Sequence, residues 1–508
     1  MSHISVIFRT DASLQIGSGH VIRCLTLADE LRQRGAKVMF ICREHPGNLI
    51  GLIEGKGYQV ARLPHPEAAY DAAADDVRHA AWLGVPWAQD AADTSAAMGN
   101  MLPQWLIVDH YAIDCRWEEK LRLLAGRIMV IDDLADRPHD CDLLLDQNLY
   151  QEMGNRYEIL VPPGCHKLLG PGYALLRPEF AAVRTNLRQR DGQVRRVLVF
   201  FGGVDATNET EKAIKVLTGI VDRQFAVDVV VGGGNLYKEQ IQKLCAGLHG
   251  FHYHCQVENM AAIMAAADLA IGAGGTATWE RCAMGLPSIV TALADNQRKL
   301  ARAGARNGLL FYLGEAGSDS LEHLLPVLIS CTSAPETMLY YSATCLKTVD
   351  ARGVNRVANL LFPPQIAVRR ATLEDCDAVY EWRNAEETRR YIFHADTIPL
   401  DTHREWYRRT LENADRILLI GEIDNKPVGV LRYDLTQHTA LISVYLVPGC
   451  QGQGAGAQIV RRGSQWLREH CPQISVVNAE ISPENSASLR AFESARFKEH
   501  HLIFQEVL

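Results

Sequence analysis

A stretch near the start of the chain places a histidine after two glycines and a charged pair. It contains Arg9, Asp11, Gly17, Gly19 and His20, between an apolar strand-like segment and an amphipathic helical one. The glycines leave open space where the helix begins, and an imidazole there can take a proton from a water molecule. By residue type alone, this histidine is either a general base or a residue that only caps the turn.

A second glycine-rich stretch follows an apolar strand-like run near the C-terminus. Small residues there let several backbone N–H groups converge on an anion, and the helix that follows adds a favourable dipole. The pattern suits a pyrophosphate, although many strand-to-helix turns also need glycine. The stretch comprises Gln451, Gly452, Gln453, Gly454, Ala455 and Gly456.

Three strand-like runs in the middle of the chain also end in glycine. The glycines lie at residues 202–203, 232–234, and 272, 274 and 275, each after a run rich in valine, isoleucine or leucine. In an open parallel sheet, ligands bind just beyond the carboxyl ends of the strands. Glycine at those ends lets the backbone approach a ligand closely or turn sharply. The repetition favours a ligand site at this edge.

The elements that carry these stretches divide the chain into about three domains, because 508 residues exceed a single hydrophobic core. Residues 1–165 and 190–360 alternate β-branched runs with amphipathic ones, which predicts βαβ units and parallel sheets. Two prolines in residues 362–365 predict a linker. Residues 366–508 then show the pattern of a smaller α+β domain, with a hairpin turn at 424–427.

Composition excludes several classes of protein. A formal charge of -8 argues against a nucleic-acid-binding protein. The 13 cysteines form no C-x-x-C pair, which predicts buried free thiols and no metal cluster. The chain starts without the pattern of a signal peptide, and the apolar stretch 260–271 is too short to span a bilayer. We therefore expect a cytoplasmic protein that binds neither nucleic acid nor membrane.

The C-terminal glycine stretch resembles the acetyl-CoA motif of the GNAT acyltransferases, a Gln or Arg followed by x-x-Gly-x-Gly/Ala. Gln451, Gly454 and Gly456 match this motif, and counterparts of the family's next strand and helix follow. The resemblance covers residues 366–508. It implies that acetyl-CoA lies along the preceding strand and that its pyrophosphate binds the amides of residues 451–456.

Other cofactor contacts are implied by the same resemblance. Tyr445 and Val447 would lie beside acetyl-CoA, while Asn485 and Ser488 would bind its pantetheine arm or phosphates. Many members carry a tyrosine seven residues after that asparagine to protonate the leaving thiolate, but here the position is Phe492. Candidates for the general base are Tyr445, His438, Glu422 and His394.

The tripeptide Trp382-Arg383-Asn384 follows the first helix of this domain, where GNAT enzymes often form the acceptor pocket. An arginine between an aromatic and an amide side chain suits a nucleotide-linked acceptor. A helix-capping cluster with the tryptophan in the core is an equal alternative.

The N-terminal stretch is similar to the opening of the UDP-sugar hydrolases of pseudaminic acid biosynthesis, which are two-domain relatives of the GT-B glycosyltransferases. The matching pattern runs from Arg9 through His20 to Arg23-Cys24-Leu25. The resemblance spans residues 1–360. Further matches lie at residues 108–111, 131–133, 201–205, 271–280, 285–287 and 295–297.

This second resemblance implies a mechanism and a set of contacts. His20 would activate a water that attacks the anomeric carbon with inversion, and UDP would leave. Asp11 would orient that histidine, bind sugar hydroxyls or only form a turn. Gly274 and Gly275 would donate amides to the diphosphate, and Glu280 would accept from the ribose. The remaining substrate-binding candidates are Arg9, Gly17, Gly19, Asn296 and Gln297.

The two resemblances imply an α/β chain with a GT-B-like pair of Rossmann-type parallel-sheet domains followed by a GNAT α+β acyltransferase domain. The expected ligands are a UDP-linked amino sugar and acetyl-CoA, without a metal. The resemblances imply N4-acetylation of a UDP-4-amino-4,6-dideoxy-N-acetyl-altrosamine, followed by hydrolysis of the UDP-2,4-diacetamido-2,4,6-trideoxy sugar. The alternatives are a GT-B glycosyltransferase fused to an acetyltransferase, or a hydrolysing 2-epimerase of the legionaminic type.

Overall fold

The computed structural model describes residues 4–66, 77–317, 320–363, 365–390, 396–451 and 454–498. The chain divides into two compact units, unit 1 (Met1–Ala358) and unit 2 (Asn359–Leu508). All thirteen cysteines are free thiols. Within the described segments, no helix has the length and apolar character needed to cross a membrane.

The first half of unit 1 is a seven-stranded sheet in the order β3-β2-β1-β4-β5-β6-β7, with every pair parallel. Its strands are apolar on both faces because helices cover both sides. The strand order reverses between β1 and β4, where an open crevice forms beyond the strand ends. The strands are β1 (Ser5–Thr10), β2 (Lys37–Arg43), β3 (Gln59–Leu63), β4 (Trp105–Asp109), β5 (Arg127–Ile131), β6 (Leu143–Asp146) and β7 (His166–Leu169); the helices are α1 (Gly19–Gln33), α2 (Ile50–Gly55), α3 (Trp87–Met98), α4 (Cys115–Leu121) and α5 (Pro178–Arg184).

The second half of unit 1 is a six-stranded parallel sheet in the order β10-β9-β8-β11-β12-β13. Apolar clusters pack on both of its faces. The strands are β8 (Arg196–Phe200), β9 (Ala226–Val231), β10 (Phe251–Cys255), β11 (Leu269–Ala273), β12 (Ser288–Ala292) and β13 (Phe311–Glu315); the helices are α6 (Glu209–Thr218), α7 (Lys238–Ala246), α8 (Met260–Ala266), α9 (Ala277–Ala283), α10 (Asp295–Arg306), α11 (Ser320–Ser333), α12 (Pro335–Thr348) and α13 (Gly353–Leu361).

Unit 2 contains a five-stranded sheet in the order β14-β15-β16-β17-β18, antiparallel except for the last pair. Strand β17 pairs with β18 only through Thr439 to Ile442, so residues 443–446 have no sheet partner on that side within the described part of the chain. The strands are β14 (Ala367–Arg370), β15 (Arg416–Ile423), β16 (Lys426–Thr436), β17 (Thr439–Leu446) and β18 (Val476–Ala479); the helices are α14 (Cys376–Asn384), α15 (Glu386–Arg389), α16 (Leu400–Glu412), α17 (Ala455–His470) and α18 (Ser486–Ser494).

The fold class expected from the sequence is confirmed: two Rossmann-like parallel sheets precede a GNAT-like mixed sheet. The apolar stretch 260–271 is helix α8 leading into β11, as its length predicts. The hairpin turn between β15 and β16 is tighter than the sequence predicts. It comprises only Asp424 and Asn425, whose φ values of 50° and 60° suit a two-residue hairpin loop.

Candidate active sites

Unit 1 holds a cavity of about 210 Å³ at the carboxyl ends of its two sheets. Several residues expected at the site from the sequence lie on its wall, together with others that the sequence did not single out. The lining residues are Ile16, Gly19, His20, Arg23, Trp82, Tyr111, Asp133, Asn148, Gly274, Gly275, Thr276, Asn296, Gln297 and Leu300.

His20 and Arg23 lie one turn apart at the start of α1, and both contact Asp109, the last residue of β4. Nδ1 of His20 is 2.5 Å from Oδ1 of Asp109, and Arg23 donates to the carboxylate twice over 2.6 Å. Burial alone would raise the pKa of Asp109, but Arg23 and His20 outweigh it and hold that pKa well below its usual range. An ionised carboxylate only accepts hydrogen bonds. Nδ1 therefore carries the ring proton, and Nε2 is left as the basic nitrogen of this cavity-lining histidine.

A second carboxylate on the cavity wall is Asp133, just after β5. Tyr111 donates a short hydrogen bond to it, and Asn148 donates over 2.9 Å. The amide oxygen of Asn148 in turn accepts from the indole of Trp279 over 2.9 Å. Burial and the charge of Asp133 raise the pKa of Tyr111 well above its usual value, so its phenol is a neutral donor. Hydrogen bonds thus connect α9 of the second sheet to the carboxylate beside the histidine.

Aromatic rings cover one side of the imidazole. The Tyr111 ring meets the ring of His20 edge-on, with centroids 4.5 Å apart and an interplanar angle of 82°. Trp82 stacks beside Tyr111 at 5.7 Å and also lines the cavity. The imidazole therefore lies between a polar network and an apolar wall, a surface that suits one face of a sugar ring.

Gly274 and Gly275 both line the cavity, but only one has an available amide. The N–H of Gly274 donates to the carbonyl of Thr291 over 3.1 Å, so the expected diphosphate contact from that amide is wrong. The amides of Gly275 and Thr276 have no acceptor among the described residues. Residues 296–297 in the first turn of α10 complete this side of the cavity. Uncapped helix starts and free amides favour an anion here.

Arg9 and Asp11, which we expected to contact substrate, do not line the cavity. Both side chains are fully buried, and Arg9 pairs with Asp11 at 2.8 Å and with Asp90 at 2.7 Å. Asp11 also accepts the backbone N–H of Arg43 over 2.7 Å. Side chains without exposed surface cannot touch a substrate. This pair ties the ends of β1 and β2 together, and the carboxylate that orients the imidazole is Asp109.

Two further expected contacts are absent from the described wall of this cavity. Gly17 has a φ of 79° and donates its N–H to Ser13, so it shapes the turn before α1. Glu280 on α9 lies 3.6 Å from Arg177, and burial raises the pKa of its carboxyl. The proposed ribose contact of Glu280 therefore does not coincide with this cavity.

In unit 2, the glycine stretch leads into α17 as the sequence predicts. Gly454 precedes the helix with a φ of 77°, a conformation that suits glycine. Ala455 is buried, and a methyl group added at Gly456 would be in van der Waals contact with Ala491 of α18, at 3.4 Å. With such small side chains, these positions leave cofactor contacts to backbone groups. The predicted residues Gly452 and Gln453 lie outside the described residues.

The other cofactor candidates surround the unpaired end of β17. Tyr445 lies on this segment, and the N–H of Val447 just beyond it donates to Val428 over 3.0 Å. Gln451 lies in the turn before α17. Asn485 caps α18, because its side chain accepts the N–H of Ser488 over 3.0 Å. Backbone groups at the unpaired edge are free for an extended ligand such as pantetheine.

Phe492 occupies the position at which the family resemblance leads one to expect a proton donor. It is buried in the apolar core and packs edge-on against Phe497 at 5.0 Å. The residue therefore serves packing.

The candidates for the general base of unit 2 differ in their positions and in their partners. His438 lies in the turn before β17, at the opposite end of that strand from Tyr445. Glu422 pairs with Arg369 at 2.9 Å. Burial raises the pKa of Tyr445, so its phenol stays neutral: it can donate a hydrogen bond, but it is neither a base nor a strong acid. His394 lies outside the described residues.

Comparisons with known proteins agree with this division of the chain. The family model "Acetyltransferase (GNAT) domain" matches residues 365–498, and "Glycosyl transferases group 1" matches residues 195–325. An uncharacterized protein of Methanocaldococcus jannaschii is 22% identical over 504 residues, covering 96% of both chains.

Two further relatives match unit 1. The UDP-2,4-diacetamido-2,4,6-trideoxy-beta-L-altropyranose hydrolase of Campylobacter jejuni is 26% identical over 266 residues, which cover 51% of this chain and 81% of that protein. The spore coat polysaccharide biosynthesis protein SpsG of Bacillus subtilis is 26% identical over 193 residues, 38% of this chain and 57% of that protein.

Among solved structures, MurG of Acinetobacter baumannii gives a TM-score of 0.49 at 15% identity, over 71% of this chain and 99% of that chain. Spermidine N-acetyltransferase of Vibrio cholerae in complex with CoA and spermine gives a TM-score of 0.27 at 16% identity, over 28% of this chain and 87% of that chain. The family matches and the three sheets together show that the chain joins a GT-B glycosyltransferase-like region to a GNAT acetyltransferase domain.

Proposed function

We propose that this chain is a bifunctional enzyme of pseudaminic acid biosynthesis. Unit 2 transfers the acetyl group of acetyl-CoA to the 4-amino group of UDP-4-amino-4,6-dideoxy-N-acetyl-altrosamine. Unit 1 then hydrolyses the UDP-2,4-diacetamido-2,4,6-trideoxy sugar to UDP and the free sugar. The observation that carries the hydrolase assignment is the His20–Asp109 pair on the cavity wall.

Hydrolysis begins with a water molecule beside Nε2 of His20. As the water oxygen attacks the anomeric carbon, its proton passes to Nε2, and Asp109 stabilises the imidazolium through Nδ1. The bond between the anomeric carbon and the diphosphate oxygen breaks, and UDP leaves with the electron pair. Attack opposite the leaving group inverts the anomeric centre.

We propose that the leaving diphosphate is held by backbone N–H groups and by side-chain amides. The amides of Gly275 and Thr276 and the side chains of Asn296 and Gln297 face the same cavity as His20. Hydrogen-bond donors placed where negative charge develops lower the barrier to departure.

Acetyl transfer in unit 2 needs an amine, a thioester and a place for the cofactor. The pyrophosphate of acetyl-CoA binds the amides that precede α17, and its pantetheine arm adds to the unpaired edge of β17. The neutral amine attacks the thioester carbonyl, the carbon–sulfur bond breaks, and the thiolate leaves. The extra amine proton passes to water, and the thiolate takes up a proton from water. The neutral phenol of Tyr445 can donate a hydrogen bond to the thiolate.

The Campylobacter jejuni hydrolase supports the substrate assignment, because its name specifies a 2,4-diacetamido sugar. Such a sugar is the product of N-acetylation at a 4-amino group. A chain that joins an acetyltransferase domain to a relative of this hydrolase therefore joins two consecutive steps.

The test is incubation of the whole chain with the UDP-4-amino sugar, followed by mass spectrometry. With acetyl-CoA we expect the mass gain of one acetyl group and then free 2,4-diacetamido sugar plus UDP. Without acetyl-CoA we expect the substrate to persist. Unchanged substrate in both reactions would reject the proposal.

A glycosyltransferase is the second candidate, because residues 195–325 match a glycosyl transferase family model. The two differ in the acceptor. Stoichiometric UDP release from the UDP-diacetamido sugar in buffer alone supports the hydrolase. Release only after an acceptor alcohol is added supports the glycosyltransferase.

A further inference from the structure

Unit 2 carries arginine side chains beside Tyr445 that the acetyl-CoA site does not use. In the antiparallel register of β16 and β17, Val430 pairs with Tyr445 and Arg432 pairs with Ser443. Paired residues, and residues two apart along a strand, lie on the same face of a sheet. Arg432 and Tyr445 therefore share one face, next to the unpaired end of β17.

Helix α14 brings another arginine to this face. Val379 and Trp382 of α14 pack in one apolar cluster with Val430 and Tyr445. Arg383 follows Trp382, and its pKa is lowered by burial and by the neighbouring guanidinium groups of Arg389 and Arg432. The tryptophan of the predicted tripeptide thus belongs to the core, while its arginine lies within electrostatic reach of Arg432.

Asn384, the third residue of that tripeptide, has a structural role. Its side-chain amide donates to the carbonyl of Ile398 over 3.0 Å and accepts the N–H of the same residue over 2.9 Å. Both polar atoms of the Asn384 side chain therefore help to fix the chain after α15.

The charges on this face do not cancel. Asp434 pairs with Arg432 at 2.9 Å and also with Arg416 at 3.1 Å, so one carboxylate serves two arginines. Nε of Arg432 is buried and has no hydrogen-bond partner within the described part of the chain. A buried donor without an acceptor is costly, and an anionic oxygen from a ligand would satisfy it.

We propose that Arg383 and Arg432 form an anion site for the diphosphate of the acetyl acceptor. The acceptor is then a nucleotide-linked amino sugar rather than a free one, and its amine is presented to the thioester beside Tyr445. This inference rests on the proposed acetylation activity, and it adds the residues that select the acceptor. It also fixes the order of the two steps, since hydrolysis would remove the group that these arginines bind.

The test measures initial rates of CoA thiol release with the full chain. The acceptors are the UDP-4-amino sugar and the same amino sugar without the nucleotide, and UDP serves as an inhibitor. Arg432→Gln removes the charge, and Arg432→Lys restores a charge without the planar fork. Arg404→Gln is the matched control, because Arg404 is exposed on α16 and pairs with Asp377.

We expect Arg432→Gln to raise the KM for the UDP-linked acceptor and the inhibition constant for UDP by about ten- to a hundredfold, the loss of a charged hydrogen bond. The KM for acetyl-CoA and the rate with the free amino sugar should stay at wild-type values, with Arg432→Lys intermediate and Arg404→Gln unchanged. A parallel rise in the KM for acetyl-CoA would assign these arginines to the cofactor phosphates and overturn the inference. Equal losses with both acceptors, or no change with either, would also overturn it. A wild-type chain that acetylates neither acceptor would instead reject the proposed function.

Discussion

Asp109→Asn perturbs the proposed hydrolase with the least change of shape. The substitution keeps the shape of the side chain but removes its negative charge. That charge is contacted once by His20 and twice by Arg23. Without that charge, the ring tautomer is no longer fixed and an imidazolium is no longer stabilised. Arg23 also loses its main partner, although Asp133 remains within 3.3 Å.

The size of both effects follows from these contacts. General-base catalysis contributes about 10²–10⁴-fold, so we expect kcat for UDP-sugar hydrolysis to fall about a thousandfold. Breaking a buried ion pair costs about 3–5 kcal/mol. The remaining contact of Arg23 with Asp133 reduces that cost, and we expect a loss of about 3 kcal/mol in the free energy of unfolding at pH 7.

The stability loss should depend on pH with a defined sign. Arg23 and His20 overcome the effect of burial and lower the pKa of Asp109 in the folded state. The ionised carboxylate therefore stabilises the fold at pH values above the ordinary aspartate pKa of about 4, and this contribution disappears on acidification. The difference in unfolding free energy between wild type and Asp109→Asn should be full at pH 7 and shrink below about pH 4.

Hydrolysis is measured as the release of UDP. Folding is measured by circular dichroism and by urea unfolding at several pH values. The control is Asp228→Asn, because Asp228 on β9 is also buried between an arginine and a histidine, Arg196 and His254. That site does not line the cavity, so we expect wild-type kcat. A folded Asp109→Asn with wild-type kcat, or an equal loss in the control, would refute the reasoning.

Three further predictions concern other parts of the chain. Burial and Asp133 raise the pKa of Asp146 to about 7, so the folded state binds the extra proton and wild-type stability falls as pH rises from about 4 to 7. Asp146→Asn should abolish this fall, and its Tm relative to wild type should increase between pH 5 and pH 8. In Gly275→Ala the new methyl group lies 3.5 Å from Gln297, an ordinary contact distance, so we expect an unchanged Tm. Because Gly275 lines the cavity, we expect the methyl group to raise the KM for the UDP-sugar. Gly454→Ala forces an alanine to a φ of 77° and should destabilise unit 2 by about 1–2 kcal/mol; acetyl-CoA KM should rise while UDP-sugar hydrolysis, assayed separately, stays constant.

The position of His20 was predictable, but its partner was not. A glycine-histidine start of a helix after the first strand places the ring at the ligand edge of a parallel sheet. Asp109 lies 89 residues further along and reaches the ring only because β4 is next to β1. Strand order is a long-range property that one sequence does not reveal. Asp109 and Asp133 were present in the motifs that matched the hydrolases, and this was the available signal.

Buried charges explain the main wrong expectation. Arg9 and Asp11 have the types and spacing of ligand-binding residues, yet Asp90 from α3 covers them. A sequence does not show whether a charged pair binds a ligand or forms an ion pair with another buried side chain. Gly274 differs from Gly275 for a similar reason, since the carbonyl that takes its amide comes from the neighbouring strand β12.

In unit 2, local patterns were more informative. The glycine before α17 was predictable because a left-handed backbone and a close helix contact both require a small residue. Asn485 was expected at the cofactor and caps α18 in the structure; its place before an amphipathic run was the signal for the cap. The convergence of Arg383 and Arg432 was not predictable, because it depends on the register of β16 and the packing of α14.

The most direct test of the central claim is hydrolysis of the UDP-2,4-diacetamido-2,4,6-trideoxy sugar in ¹⁸O-labelled water without any acceptor. Products are analysed by mass spectrometry, and the first-formed anomer is identified by NMR. The proposed mechanism predicts rapid UDP release, label at the anomeric oxygen of an inverted sugar and none in UDP, with all of it lost in His20→Ala. Label in the phosphate of UDP, or no UDP release until an acceptor alcohol is added, would contradict it.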